Sequence, residues 1–377
     1  MSLRRLYLFF ILLTVISAAA LGTRAQSGRT TPTPTPEPSQ DQEPVKVFTE
    51  EVRLPVVAFD DYGHFDPSLE MTDVLVLEDG QQQQIRSIRH IPASVLIVLD
   101  VDNQITLTKN TNDTRAIADR LLSRLKGGDE AAVIQFGSGV QVLQDWTTNR
   151  ESIHEVLKTK LFGGKRGRLS EAMVKAANML KDKPAGSRHV VFVTDGIETP
   201  GGKVAYSEAV KQLVASQATV HIISYTAMVR EAIAERKRQG PVSLGNGKMR
   251  DPNIGAPDPT MPSDISRGGA RVTLVTIDTD RAMRRWYKKY ADDAKANEQR
   301  LKSLAEETGG QILLPTFKDD LIAQADAVAR DIGAQYVITY RPTRPLALAK
   351  AGEYRRLEIA PRRTGLTLRA RRGYIAK

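Results

Sequence analysis

The apolar run Ser94-Val95-Leu96-Ile97-Val98-Leu99 stops at Asp100-Val101-Asp102-Asn103-Gln104, and a second run, His189-Val190-Val191-Phe192-Val193, stops at Thr194-Asp195-Gly196. Near-continuous aliphatic stretches of this length are the pattern of strands buried on both faces of a mostly parallel sheet. Such sheets take their ligands at the carboxyl ends of the strands. Two strand ends can therefore bring three carboxylates, Asp100, Asp102 and Asp195, to one edge.

Between the runs the period becomes helical. Ile117, Leu121, Leu122 and Leu125 follow candidate caps at Asn112, Asp113 or Thr114 and end at Gly127-Gly128, which predicts one helix. Strands over Ala131–Phe136 and around Val140–Leu143, helices near Arg150–Lys158 and over Leu169–Leu180, the Val190 strand, a helix over Lys203–Ser216 and a strand over Thr219–Tyr225 continue the alternation. It breaks between Ala227 and Ala270, where a charged helical piece, Arg230–Arg238, gives way to Gly, Pro, Asn and Asp. A disordered insertion is predicted there. Beyond it lie a strand over Val272–Ile277, a basic helical run over Arg281–Tyr290, a helix over Asn297–Thr308 closed by Gly309-Gly310, a short strand at Ile312–Leu314 and a helix over Lys318–Ile332. Alternation on this scale predicts an α/β fold, a doubly wound sheet spanning residues 92–335.

Strand-like sequence brackets that core, with Val45–Phe59 and Asp73–Ile91 before it and Tyr336–Tyr340, Tyr354–Ile359 and Leu366–Tyr374 after it. Neither bracket has enough strands to close a core alone. Segments 45–91 and 336–377 are therefore expected to pair into one small β-sandwich. Residues 26–44, which include Thr31-Pro32-Thr33-Pro34-Thr35-Pro36, read as an extended linker. Residues 1–25 have the sections of a signal peptide: Arg4-Arg5, the apolar Leu6–Ala20 run, and Thr23-Arg24-Ala25 before the cleavage point. The apolar stretch falls short of the ~20 residues that span a bilayer, which favours a secreted or periplasmic protein over an anchored one.

Composition narrows the chemistry. The 377 residues, 41% of them hydrophobic, suit a packed core. With no cysteine there is neither a disulfide framework nor a thiolate site. Five His are scattered without metal-ligand spacing, and Ser170, Glu171 and Ser224 have no base in a triad arrangement, so a hydrolase triad has no support. The net charge is +10, and Arg341–Lys377 carries eleven Lys/Arg against two Glu, a local +9. In Leu366-Thr367-Leu368-Arg369-Ala370-Arg371 the arginines alternate with apolar residues, as on the solvated face of a strand. Their alternative use is contact with an anionic envelope lipid or polymer. Nucleic acid is disfavoured by export and by the lack of a finger, helix-turn-helix or stacking-aromatic pattern. The run Arg284-Arg285-Trp286-Tyr287-Lys288-Lys289-Tyr290 predicts a solvated helix with its aromatics docked on the domain, the alternative being a helix for a membrane surface or a partner.

The order and spacing of several segments resemble the von Willebrand factor type A family, in particular an exported bacterial branch with flanking β segments. The matching pieces are Val76-Leu77-Glu78-Asp79-Gly80, the Asp100 strand end, Phe192-Val193-Thr194-Asp195-Gly196, Leu304-Ala305-Glu306-Glu307-Thr308-Gly309-Gly310 and Arg371-Arg372-Gly373-Tyr374. The resemblance implies a Rossmann-like doubly wound sheet with a metal-ion-dependent adhesion site on its top edge, in which an Asp-x-Ser-x-Ser loop, a Thr and a further Asp hold Mg²⁺ while a partner carboxylate completes the shell. Asp100 and Asp195 fall on the two Asp positions, but Asp102 and Gln104 replace both Ser. In Gly163-Gly164-Lys165-Arg166-Gly167-Arg168-Leu169, aligned on Leu169-Ser170-Glu171-Ala172, Gly167 stands where the Thr belongs.

The metal set of Asp100, Asp102, Gln104 and Asp195 is thus expected to be degenerate. Oxygens from Asp102 and Gln104 could still serve Mg²⁺, yet three carboxylates leave the centre negative and repel an incoming carboxylate. Alternatively Lys165, Arg166 or Arg168 supplies a fixed cation and no metal is needed. The expected function is a non-enzymatic interaction module for an unknown protein or anionic envelope component. A rival from another class is a haloacid-dehalogenase-like, Mg²⁺-dependent phosphatase. It would use Asp100 as nucleophile, Asp102 as acid/base, Thr194 as the second motif and Asp319-Asp320 after Lys318 as metal acids. Gln104 departs from that motif, and Asp319-Asp320 open a helix instead of following a strand.

Overall fold

The computed structural model describes residues 50–102, 110–238 and 280–376. The expected signal peptide and linker, Gln104, residues 239–270 of the expected insertion and the expected strand Val272–Ile277 lie outside these. The described chain opens with β1 (Val52–Phe59), β2 (Val74–Glu78), β3 (Gln81–Gln82) and β4 (Gln84–Arg89). It continues with β5 (Ser94–Asp100), α1 (Thr111–Arg124), β6 (Glu130–Phe136), β7 (Val140–Thr147), α2 (Arg150–Lys160), α3 (Leu169–Leu180) and β8 (Arg188–Thr194). Then come α4 (Tyr206–Ala215), β9 (Thr219–Ser224), α5 (Thr226–Arg238), α6 (Asp280–Thr308), β10 (Ile312–Leu313) and α7 (Lys318–Gly333). It closes with β11 (Gln335–Arg341), β12 (Tyr354–Pro361), β13 (Thr367–Ala370) and β14 (Gly373–Ile375).

The central sheet has the order β10-β9-β8-β5-β6-β7, parallel throughout except for β7 at one edge. Every residue of β5 is buried, because the alternating sides of the strand meet different helices. Val95, Ile97 and Leu99 pack with α1, α2 and α7 through Leu121, Leu157 and Val328. Leu96 and Val98 pack with α3, α4 and the second half of α6 through Met173, Leu213 and Leu301. This is the doubly wound α/β architecture that the two aliphatic runs predict.

The two ends of the chain build two further sheets, β13-β1-β11-β4 and β14-β12-β2-β3, and each joins early strands to late ones. Leu54, Val56, Val76, Ile338 and Leu357 fill the space between them. Inside this sandwich the fully buried Arg355 pairs with Glu78 at 2.9 Å, and the Tyr340 and Tyr374 hydroxyls donate to the other Glu78 oxygen at 2.7 and 3.0 Å.

Three expectations are corrected. Residues 227–238 belong to α5 instead of a disordered insertion, since Val229 and Ile233, four apart, give the segment a buried face. The separate helices Arg281–Tyr290 and Asn297–Thr308 are one continuous α6, because the intervening residues, Ala291 to Ala296, hold no Gly or Pro and three Ala. The arginines of Leu366–Arg371 do not form a solvated face. Arg371 is buried and donates to the Arg53 carbonyl, and Arg369 bonds Asp331 and the Gly309 carbonyl. Other tail arginines pair as well: Arg344 with Asp79 and Glu353, Arg356 with Glu358, Arg363 with Asp66 and Asp73, and Arg372 with Glu306.

Where α7 passes into β11, polar side chains replace apolar ones at the foot of the sheet. His189 and His221, on neighbouring strands, stack with ring centroids 5.7 Å apart and are each 1% exposed. The Gln335 amide nitrogen donates to the Gly186 carbonyl at 2.8 Å and meets His189 Nε2 at 3.1 Å, while Thr219 donates to Gln335 Oε1 at 3.3 Å. His221 Nδ1 lies 3.3 Å from Asp331, which Arg369 of β13 also binds.

Candidate functional site

The parallel pairing of β5 with β8, Ser94↔Arg188 through Leu99↔Val193, ends the two strands at the same edge, mid-sheet. Asp100 and Asp195 therefore sit side by side where the chain crosses from one helical layer to the other, the usual place for a ligand in such sheets. The Thr194 hydroxyl donates to Asp100 Oδ2 at 2.7 Å and accepts from Gly196 N–H at 3.0 Å, and the Asp102 N–H reaches Asp100 Oδ1 at 3.2 Å. Asp195 Oδ1 accepts from Ile197 N–H at 3.0 Å, and Asp195 Oδ2 accepts from the Tyr290 hydroxyl at 2.8 Å.

All three carboxylates are buried, at 0% exposure for Asp100, 2% for Asp102 and 3% for Asp195. The cover is α6. Tyr290 is 7% exposed, with Val229, Ile233, Ile197 and Ala291 around it. Burial, and then the neighbouring charges of Asp195, Asp102 and Asp100, hold the Tyr290 phenol well above its ordinary pKa, so it stays a donor.

The facing loop is pinned by backbone contacts. Gly164 N–H donates to the Val101 carbonyl at 2.6 Å and forms a β-bridge with Asp102. A Cβ on Gly164 would meet the Gly137 backbone at 2.9 Å. Gly167 exchanges two hydrogen bonds with Thr199, each 3.0 Å long. A Cβ there would fall 2.6 Å from the Ile197 carbonyl and 2.8 Å from an Asp102 carboxylate oxygen. The Asp102 side chain thus fills the room that a threonine at position 167 would need. Arg168 is buried and donates to the Thr199 carbonyl at 3.1 Å, whereas Lys165 and Arg166 are exposed.

The structure brings Asp100, Asp102, Asp195, Thr194 and Gly167 together. It leaves Asp319 and Asp320 apart: they are exposed in the first turn of α7, where Lys318 pairs with Asp113 at 3.0 Å. Acidic side chains there suit the positive end of the helix dipole. Ser170 donates to Glu198 at 2.5 Å and takes part in no triad. Tyr290 as a partner of Asp195 is not anticipated from the sequence. Its signal is the buried stripe Tyr290, Ala294, Asn297, Leu301 and Leu304 at helical spacing.

Residues 95–198 match the family model for the von Willebrand factor type A domain. This segment is a von Willebrand factor type A domain. Three solved structures are similar to the chain at low identity. The conserved hypothetical protein BatB from Bacteroides thetaiotaomicron is 21% identical over 35% of this chain and 66% of its own, with a TM-score of 0.31, so the chain spans just under two thirds of it. An aerotolerance-related membrane protein from Bacteroides fragilis is 16% identical over 64% of this chain and 98% of its own, with a TM-score of 0.38. A von Willebrand factor type A protein from Catenulispora acidiphila is 9% identical over 88% and 75%, with a TM-score of 0.41. No curated protein matches the chain.

Asp100 and Asp195 each accept hydrogen bonds on both oxygens from the chain itself. Among the described residues no group of three or more His, Asp or Glu is disposed to hold a metal ion, and no helix is long and apolar enough to cross a membrane.

Proposed function

We propose that this chain is an exported, non-enzymatic interaction protein that engages its partner without a metal ion, at the sheet edge where β5 and β8 end. One observation supports this: the Tyr290 hydroxyl donates to Asp195 Oδ2 at 2.8 Å, and the Asp102 side chain lies where a side chain at position 167 would have to go. A magnesium ion needs about six oxygens in near-octahedral array. Asp100 and Asp195 instead spend their oxygens on the hydroxyls of Thr194 and Tyr290 and on backbone N–H groups. Export rests on the Arg4-Arg5, Leu6–Ala20 and Thr23-Arg24-Ala25 pattern. An anionic envelope polymer is the lesser partner class, because most of the arginines that would recognise it are paired within the fold.

Titration calorimetry with Mg²⁺ and Mn²⁺ is expected to give no heat of binding, and chelator is expected to leave the melting temperature unchanged. Tight metal binding, or a chelator-sensitive melt, overturns the metal-free assignment. Phosphate release from a phosphatase substrate, abolished by Asp100→Asn, overturns the non-enzymatic one.

A further inference from the structure

The chain's cations are unequally committed. Arg344, Arg355, Arg356, Arg363, Arg369 and Arg372 all pair with carboxylates of the chain itself, Arg355 in the interior and Arg344, Arg356 and Arg372 at the surface. Lys165 and Arg166 are exposed, and no ion pair or hydrogen bond among the described residues engages either side chain. Three residues before Lys165 stands Phe162, 67% exposed. A large aromatic beside two uncommitted cations is the composition of a protein-recognition surface, not of an idle loop.

The backbone beneath these side chains is fixed. Phe162 N–H donates to Gln135 Oε1 at 3.3 Å, Gly164 to the Val101 carbonyl at 2.6 Å, and Gly167 is held twice by Thr199. A Cβ on Gly164 would come within 2.9 Å of the Gly137 backbone, so a side chain there would force the loop to shift. A partner therefore meets the loop already ordered, and little conformational entropy is lost in the backbone on binding. A carboxylate arriving at Lys165 or Arg166 also displaces no internal acid.

We propose that the 162–166 loop is a preformed docking site for an acidic protein segment, with an apolar residue for Phe162 and carboxylates for Lys165 and Arg166. This rests on the metal-free interaction role above and names its partner class. A protein is favoured over a bilayer or polymer because the exposed Phe162 offers an apolar contact beside the charges of Lys165 and Arg166.

The test is panning of a displayed dodecapeptide library on the full mature chain in the presence of chelator, followed by affinity measurement on the selected synthetic peptides. The expected peptides are enriched in Asp and Glu next to an aromatic or aliphatic residue. Their affinity falls at least about tenfold with Lys165→Glu/Arg166→Glu and with Phe162→Ser, and weakens with salt. Arg341→Glu/Arg362→Glu in the tail leaves it unchanged. All of these sites are exposed, and equal melting temperatures confirm folding of each variant.

Selection without acidic enrichment overturns the proposal. So does a requirement for residues 165 and 166 seen only with phosphatidylglycerol vesicles, which would assign the loop to a lipid surface. Metal-independent peptide binding indifferent to the double variant removes the docking site and leaves the metal-free role standing. Peptide binding that needs Mg²⁺ and ignores the double variant removes both.

Discussion

Acid should destabilise this protein through the buried histidine pair, and the size of the effect follows from its surroundings. Burial holds His189 down at about 3 from its ordinary 6.5. The Gln335 amide nitrogen, fixed as a donor by the Gly186 carbonyl, faces its Nε2 and leaves no acceptor for a second proton. His221 is held well below 6.5 by burial, then by His189 and Arg369. The charged groups that face the pair are Asp331 from α7 and Arg369 from β13, which bind each other.

Between the native and unfolded pKa values the unfolded chain binds the proton and the native chain does not. The histidine contribution is therefore complete above about pH 6.5 and is lost as pH falls toward 3. For His189 alone the loss at pH 5 is about 2 kcal/mol, at about 1.4 kcal/mol per pH unit, and His221 adds to it. Asp331 works in the opposite sense, since burial raises its pKa and the native state takes up that proton first. Its offset grows as pH falls, so the histidine contribution is read from the difference between the wild type and a histidine variant. Urea unfolding at pH 7, 6 and 5 should reveal this loss in the wild type, and His189→Leu should flatten the pH slope although it lowers stability at pH 7. If wild type and variant lose the same free energy between pH 7 and 5, the histidine pair is not the acid-sensitive element.

Three further outcomes are expected. Restoring the family's threonine with Gly167→Thr should destabilise the fold by about 1–3 kcal/mol through overpacking against Ile197 and Asp102, with no gain in Mg²⁺ binding by calorimetry. Arg355→Met should cost about 3–5 kcal/mol by stranding the buried Glu78 carboxylate, and adding Glu78→Gln should recover most of it in chemical denaturation. Tyr290→Phe takes one donor from the buried Asp195 and should cost about 1–3 kcal/mol, read as a lower melting temperature without change in far-UV circular dichroism.

The fold was legible where a single period dominates. The aliphatic runs of β5 and β8 and the apolar spacing of Leu169–Leu180 each name their element, because burial on both faces or along one stripe leaves no other arrangement. The continuity of α6 was not legible, since a basic run and a second amphipathic stretch look like two helices until the packing of Tyr290, Ala294 and Asn297 is known. At the site, adjacency of Asp100 and Asp195 follows from strand order. What surrounds them does not, because Tyr290 comes from a helix 95 residues further along the chain. The role of Gly167 is likewise invisible in one dimension: glycine marks a close approach, but only coordinates name Ile197 and Asp102 as the atoms approached. The tail's charge misleads for the same reason, as Arg371 and Arg355 are struts inside the protein.

The sandwich is stitched from both ends of the sequence, and this sets the order in which the molecule can be assembled. Tyr374 reaches Glu78 across 296 residues, and Arg355 reaches it across 277. The strands of the α/β core find their partners over much shorter spans. During synthesis, β1 and β2 must wait, with their apolar faces uncovered, until β11 to β14 emerge. Ordering the ends last adds loop-closure entropy and slows that step. The half-made sandwich, with unpaired strand edges, is the species most open to capture by a chaperone or by another copy of the chain.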